Sequence, residues 1–361
     1  MKNRKNILFS TTRQWNPGDE FILTGILNLL RGIDPHFNPV IFNRNPEIQH
    51  ESGSAFEMRF KGGIPRMKRL KLGMYDNSFK ASLKDNKFID LVIFAGSPEW
   101  ASPRLKGLYD YIDKFSIPTA YMGIGLGADF DLSSLAETYK NVLKRSALIA
   151  VRDSLAQKKL AGFNPVLLPC PSLLAAAQEH ERDIREVKTV GLIYSTHRSV
   201  RNNRLESATY SYMMDLYKRF LENYAGKLRF EFVCHYIDEL AVFKQDFPSM
   251  NCFYSYDSSD YLKIYRQFDL VIGPRVHGIG ICASMGIPGI NLAHDLRAET
   301  CRGFQAEIIG VDTGFDKVIE TIGSRVKQIS GLNQRLLQHK KDILGRYTAL
   351  VSPIIGALRG D

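Results

Sequence analysis

Short apolar runs alternate with helical patterns along the whole chain, and this alternation limits the possible folds more than any other feature. "KNILFS", "PVIFN", "FIDLVIFAG", "PTAYMGIG" and "ALIAVRD" read as strands, with helical stretches such as "DEFILTGILNLLRGI" between most of them. After an interruption the pattern resumes with "TVGLIYS", "LRFEFVCHY", "NCFYSY", "FDLVIG" and "GINLAHD". Near-continuous apolar strands separated by helices predict parallel sheets covered on both faces, an α/β fold. The interruption, "AAAQEHERDIREVK", is charged and carries no apolar strand. It marks a boundary between two α/β domains, residues 1–180 and 187–315. A tail over 316–361 reads as one long helix or two, with the option of packing back on the first domain. A chain of 361 residues with 44% hydrophobic content can build two cores of ordinary size.

Composition removes several classes of function. No apolar run is long enough to cross a bilayer, and the start, "MKNRKNILFSTTRQW", reads as a first strand rather than a secretory signal. The five cysteines are far apart in sequence and never form a Cys-x-x-Cys pair, so neither a disulfide framework nor a metal site is expected, and a cytoplasmic setting is. The net charge of +10 asks for an anionic partner: a phosphorylated metabolite, an anionic glycan, a membrane surface or nucleic acid. Without zinc-finger spacing, an RNA-binding sheet signature or a helix-turn-helix, nucleic acid is set aside. The densest basic stretch, "RFKGGIPRMKRLKLG" from Arg59, reads first as a solvated loop and second as a lid or a peripheral contact to anionic lipid at the inner face of a membrane.

Two successive α/β domains place ligands in a central cleft, at the carboxyl ends of their strands, where helix N-termini attract anions. Several strand ends carry residues that packing alone explains poorly. In "GPRVHG", Arg275 and His277 stand two apart, so in an extended segment they share a face and suit recognition of one anion, while Gly278 lets the next helix come close. Arg152 precedes a helix that Asp153 or Ser154 can cap, and there a guanidinium adds to the positive end of the dipole. In "WNPGDE", Asn16 suits an N-cap, Pro17 the first helical position, and Asp19 and Glu20 the first turn, which leaves Gly18 unexplained unless something approaches it closely. Gly123 and Gly125 in "MGIGLGA" offer backbone to a phosphate or to tight packing, and Ser97 and Glu99 in "AGSPEW" form a second loop of this kind. His197, Arg198 and Arg201, in "STHRSVRNNR", suit either an acceptor grip or a solvated loop.

Taken together, "NPGDEFILTGIL", "GIGLG", "VRDSLAQKKLAGF" and above all "DLVIGPRVHGIGICASMGIPGINL" resemble the polysaccharide pyruvyl transferase family over nearly the whole chain. The resemblance implies a GT-B-like pair of Rossmann-like domains. It also implies transfer of a pyruvyl group from phosphoenolpyruvate, the donor substrate, to a free or lipid-linked sugar as a ketal, with no cofactor. By motif match, Arg152, Arg275 and His277 are implied to hold phosphoenolpyruvate, joined by Gly18, Gly123, Gly125 and Gly278. His277 is then the candidate acid and Asp19 or Glu20 the candidate base. Asn16, Ser97, Glu99, His197, Arg198 and Arg201 are the acceptor candidates. Where many members carry three glycines after the third strand this chain has Ala95-Gly96-Ser97, and "LPCPSLL" replaces a common acidic strand end. Two other readings fit the same residues: a GT-B glycosyltransferase using a nucleotide sugar, and a non-catalytic glycan-associated protein.

Overall fold

The computed structural model describes residues 4–12, 17–44, 87–100, 105–197, 207–293 and 296–359. Two compact units emerge, Met1–Pro171 with Leu344–Asp361, and Ser172–Ile343.

In the first unit the strands are β1 (Lys5–Thr11), β2 (Phe37–Asn43), β3 (Leu91–Ala95), β4 (Thr119–Ile124), β5 (Leu148–Val151) and β6 (Val166–Leu167). All are parallel, in the order β2-β1-β3-β4-β5-β6. β3 is buried at every residue, as expected of a central strand covered by helices on both faces. α1 (Pro17–Ile33) follows β1 and starts where Pro17 fixes the helical φ. Asp19 and Glu20 lie at its positive end and Arg31 at its negative one, while Phe21, Ile22, Ile26, Leu29 and Leu30 are buried. The other helices of this unit are α2 (Lys106–Lys114), α3 (Glu137–Lys144) and α4 (Ser154–Lys159). Asp153 caps α4, accepting a hydrogen bond from Ala156 N at 2.8 Å. An aromatic core fixes the middle of the sheet: Phe94 stacks on Tyr121 at 4.6 Å, and the Tyr109 and Tyr121 hydroxyls lie 2.9 Å apart.

The second unit holds β7 (Thr189–Ile193), β8 (Arg229–Val233), β9 (Cys252–Phe253), β10 (Leu270–Gly273), β11 (Gly289–Ala293) and β12 (Glu307–Gly310). Its order, β12-β11-β10-β7-β8-β9, is the Rossmann order 3-2-1-4-5-6 read from the other edge. Its helices are α5 (Ser207–Asn223), α6 (Ile237–Asp246), α7 (Asp260–Tyr265), α8 (Val276–Ser284), α9 (Phe315–Lys327) and the start of α10 (Ile329–Arg359). Phe232 of β8 packs against Phe243 and Phe247, and Tyr217 donates to Ile193 O at 2.7 Å. Pairing of β8 with β9 brings the sulfurs of Cys234 and Cys252 to 3.2 Å, both as free thiols.

The units divide between Pro171 and Ser172, ahead of the expected boundary at 180–187. Hydrogen bonding explains the shift. Lys340 donates to Ala176 O at 2.7 Å, Ser284 O at 2.8 Å and Glu181 Oε1 at 2.8 Å, and Arg182 donates to Phe268 O at 2.6 Å. The charged stretch is thus stitched into the second unit. The tail over 316–361 reads in sequence as one long helix or two, with the option of packing back on the first domain. It forms two helices, and only Leu344 onward groups with the first unit, where Tyr347 donates to Pro169 O at 2.8 Å. The Arg59 basic stretch lies outside the described residues.

Candidate functional site

In each sheet the chain reverses direction of travel between two neighbouring strands, β1 and β3 in the first unit and β7 and β10 in the second. Loops diverge at such switch points and leave room for a ligand at the strand ends. Both units carry a cluster of charged side chains there.

In the first unit Asp19 occupies the first turn of α1, and Arg44 directly follows β2. Arg44 is 3% exposed, places Nη2 3.9 Å from Asp19 Oδ2, and donates through Nη1 to Ser97 O. Arg152, after β5, also acts on this carboxylate. Burial pushes the Asp19 carboxyl above the usual range, and the attractions of Arg44 and Arg152 only partly offset it. Asp19 therefore lowers stability near neutral pH: its folded-state pKa is raised, so the penalty is relieved as pH falls through that value.

Two glycines shape the cluster. Gly96 has φ +86°, and a β-carbon there would lie 3.1 Å from Ile22 Cδ1 and 3.9 Å from Asp19 Oδ1. A β-carbon on Gly125 would lie 2.5 Å from Arg152 Nε, so the guanidinium rests against bare backbone. Ser97 ties the two loops together, with Oγ donating to Gly125 O at 2.6 Å and accepting from Gly125 N at 2.9 Å.

In the second unit Arg275 is the N-cap residue of α8. Its Nη2 pairs with Glu239 Oε1, and its guanidinium carbon lies 4.7 Å from the centre of the Tyr236 ring. Glu239 is fully buried, and its other oxygen accepts from His235 N at 2.8 Å and Tyr236 N at 3.1 Å, closing the first turn of α6. Burial raises the Glu239 carboxyl, while Arg275 and the two N–H groups pull it down. Burial acts to lower the Arg275 pKa, but Glu239, joined by Tyr236 and Tyr265, raises it on balance and holds the guanidinium charged. His235 Nε2 lies 2.6 Å from Tyr265 Oη, and burial together with Arg275 pushes the imidazole down to about 3.

The sequence-derived candidates fall into these clusters unevenly. Asp19, Glu20, Arg152, Gly125, Ser97 and Glu99 lie in the first unit, with Glu20 buried in α1 and Glu99 exposed. Gly18 is buried in the first turn of α1. Arg275, His277 and Gly278 lie in the second. The extended pairing of Arg275 with His277 is not what forms: the helix starts at Val276, so His277 sits half-buried in its first turn. Gly123 and Gly278 have packing reasons. A β-carbon would meet Pro171 Cδ at 2.7 Å in the first case and Ile193 Cδ1 at 2.7 Å in the second. His197 is exposed, its ring 5.8 Å from that of Tyr210, and Asn16, Arg198 and Arg201 lie outside the described residues. Arg44, His235, Tyr236 and Glu239 were missed. Arg44 carried the signal used for Arg152, an arginine just past an apolar strand, whereas Glu239 looks like an ordinary first-turn acid. Among the described residues no cluster of three or more His, Cys, Asp or Glu could hold a metal, and no helix is long and apolar enough to cross a membrane.

Solved structures share this fold. The UDP-GlcNAc 2-epimerase of Methanocaldococcus jannaschii superposes with a TM-score of 0.55 at 11% identity, over 89% of this chain and 92% of its own. The enzyme of that name from Neisseria meningitidis, bound to UDP-GlcNAc, gives 0.52 at 10% identity over 92% and 99%. The glycotransferase of kitacinnamycin gives 0.53 at 10% identity, over 99% of both chains. At such identities the likeness establishes the architecture, α/β with two GT-B-type Rossmann-like units, and nothing about substrate. No curated protein matches the chain significantly. The family model of the polysaccharide pyruvyl transferases matches residues 16–295, a span that takes in both switch-point clusters, and the chain belongs to that family.

Proposed function

We propose that the protein transfers a pyruvyl group from phosphoenolpyruvate to two hydroxyls of one sugar in a cell-surface polysaccharide or its precursor, forming a ketal and releasing phosphate. The observation that carries this reading is the setting of Arg275. A guanidinium is fixed by a buried carboxylate at the N-terminus of α8, with His277 in the first turn of that helix. A planar fork at the positive end of a helix suits the carboxylate or phosphate of the donor. Arg152, bedded on Gly125 in the first unit, offers a second fork of the same kind.

The chemistry requires a proton at the methylene carbon of the donor, which leaves its neighbouring carbon electrophilic. One sugar hydroxyl adds there, the carbon–oxygen bond to phosphate breaks, and the second hydroxyl closes the ring. Of the two hydroxyl protons released, one balances the new methyl group and the other leaves with hydrogen phosphate. His277 supplies the proton to carbon in this scheme. Asp19 accepts a hydroxyl proton, with Glu20 beside it as the second candidate; a carboxyl raised by burial is a better base than a free one.

Calorimetry with phosphoenolpyruvate and a panel of nucleotide sugars tests the reading. The native protein is expected to bind phosphoenolpyruvate, and Arg275→Ala to weaken that binding by about 100-fold or more, as for loss of a charge-assisted bidentate contact. Binding of a nucleotide sugar alone would overturn it.

A further inference from the structure

A cavity of about 920 Å³ opens in the first unit beside the loops that follow β3 and β4. Its wall is aromatic: Trp100 and Phe130 lie 5.2 Å apart at 37°, with Tyr139 also lining the space. The indole N–H of Trp100 donates to Tyr109 Oη at 2.6 Å, so the polar edge of that ring is engaged within the core. Among the described residues the lining carries the carboxylates of Glu99, Asp110, Asp129 and Asp131 and one cation, Lys106, which is paired with Asp110 at 2.7 Å; Lys159 and Lys140, outside the lining, also act on Asp131. The charge of these described lining residues is thus opposite in sign to the net +10 of the chain.

The cavity is preformed. Ser97 fastens one end of the β4 loop to Gly125, and Lys159 at the end of α4 donates to Ala128 O and Phe130 O at 2.6 Å each. Ser97 and Gly125 also belong to the Asp19–Arg152 cluster, so the cavity and that cluster share a wall.

We propose that this cavity seats an uncharged pyranose unit of the acceptor glycan, an inference that rests on pyruvyl transfer being the reaction. A pyranose presents a face of C–H groups, which packs against aromatic rings, and a rim of hydroxyls, which donate to carboxylates in charge-assisted hydrogen bonds. A uronate, or a sugar already bearing a pyruvyl ketal, brings a negative charge against those carboxylates and is rejected. The same rim thus admits the neutral substrate and disfavours the product, whose ketal carries a new carboxylate.

The test is direct binding of methyl glycosides of a hexose, an N-acetylhexosamine and a hexuronate to the full chain, read by tryptophan fluorescence. The chain has only two tryptophans, so Trp15→Phe leaves Trp100 as the sole reporter. A neutral glycoside is expected to shift Trp100 emission and to bind at least roughly tenfold more tightly than the uronate. Glu99→Gln with Asp129→Asn, both at exposed positions, should narrow that gap to about threefold or less, and Phe130→Ala should weaken all binding. Equal affinity for neutral and acidic glycosides would overturn the proposal, as would no binding by any of them. Because no donor is present, these results stand apart from the calorimetry: sugar binding without phosphoenolpyruvate binding would sink the donor assignment and leave the sugar site.

Discussion

Replacing Glu239 with alanine is expected to lower the stability of the protein by about 3–5 kcal/mol, the usual effect of removing one partner from a buried ion pair. Three groups lose their acceptor at once. Arg275 loses the carboxylate that compensates its buried charge, and the backbone N–H groups of His235 and Tyr236 lose theirs. Glu239→Gln keeps an oxygen for the two N–H groups but removes the negative charge, so its effect should fall between native and alanine. Urea unfolding followed by circular dichroism measures this, and an alanine variant within about 0.5 kcal/mol of native would show that the pair is not structural. Donor binding gives an independent reading: Glu239 positions Arg275, so Glu239→Gln should weaken phosphoenolpyruvate binding while the chain remains folded.

Glu239 also shows where a sequence stops being legible. The alternation of strands and helices, the Asp153 cap and the arginine that ends β10 all follow from local rules about apolar runs, caps and strand ends. The partner of Arg275 does not, because Glu239 lies 36 residues earlier and is brought beside it only by the pairing of β7 with both β8 and β10. The same holds for Arg44 and Asp19, which meet because β1 and β2 are neighbours. β12, absent from the strands read from the sequence, is a short edge strand that needs β11 to define it. The division at Pro171 was invisible for the opposite reason. A charged stretch with no apolar strand suggested the boundary itself, yet Glu181 and Arg182 are held by Lys340 and Asp269 in the second unit, so charge marked attachment rather than a break. Roles assigned to glycines were the least secure reading, since close packing and ligand approach both call for glycine, and only distances such as that from Gly123 to Pro171 separate them.

Acid should destabilise this protein through His235 in particular. The imidazole is neutral in the folded state down to about 3, whereas in the unfolded chain it takes up a proton near 6.5. Between those values the unfolded state binds about one more proton at this site, so stability rises with pH at up to roughly 1.4 kcal/mol per unit and is lost as pH falls. Arg275 and burial oppose the extra charge, while Tyr265 offers a hydroxyl as partner to the neutral ring. Glu239 acts in the reverse sense, since its raised carboxyl favours proton uptake in the folded state. The contribution of His235 is therefore isolated by comparing native protein with His235→Asn in urea melts between about pH 4 and 7. The asparagine variant is less stable near pH 7 through lost packing, but its stability should fall less steeply on acidification. Equal slopes would mean that His235 is protonated in the folded protein, and that the guanidinium of Arg275 is better screened from it than their shared burial implies.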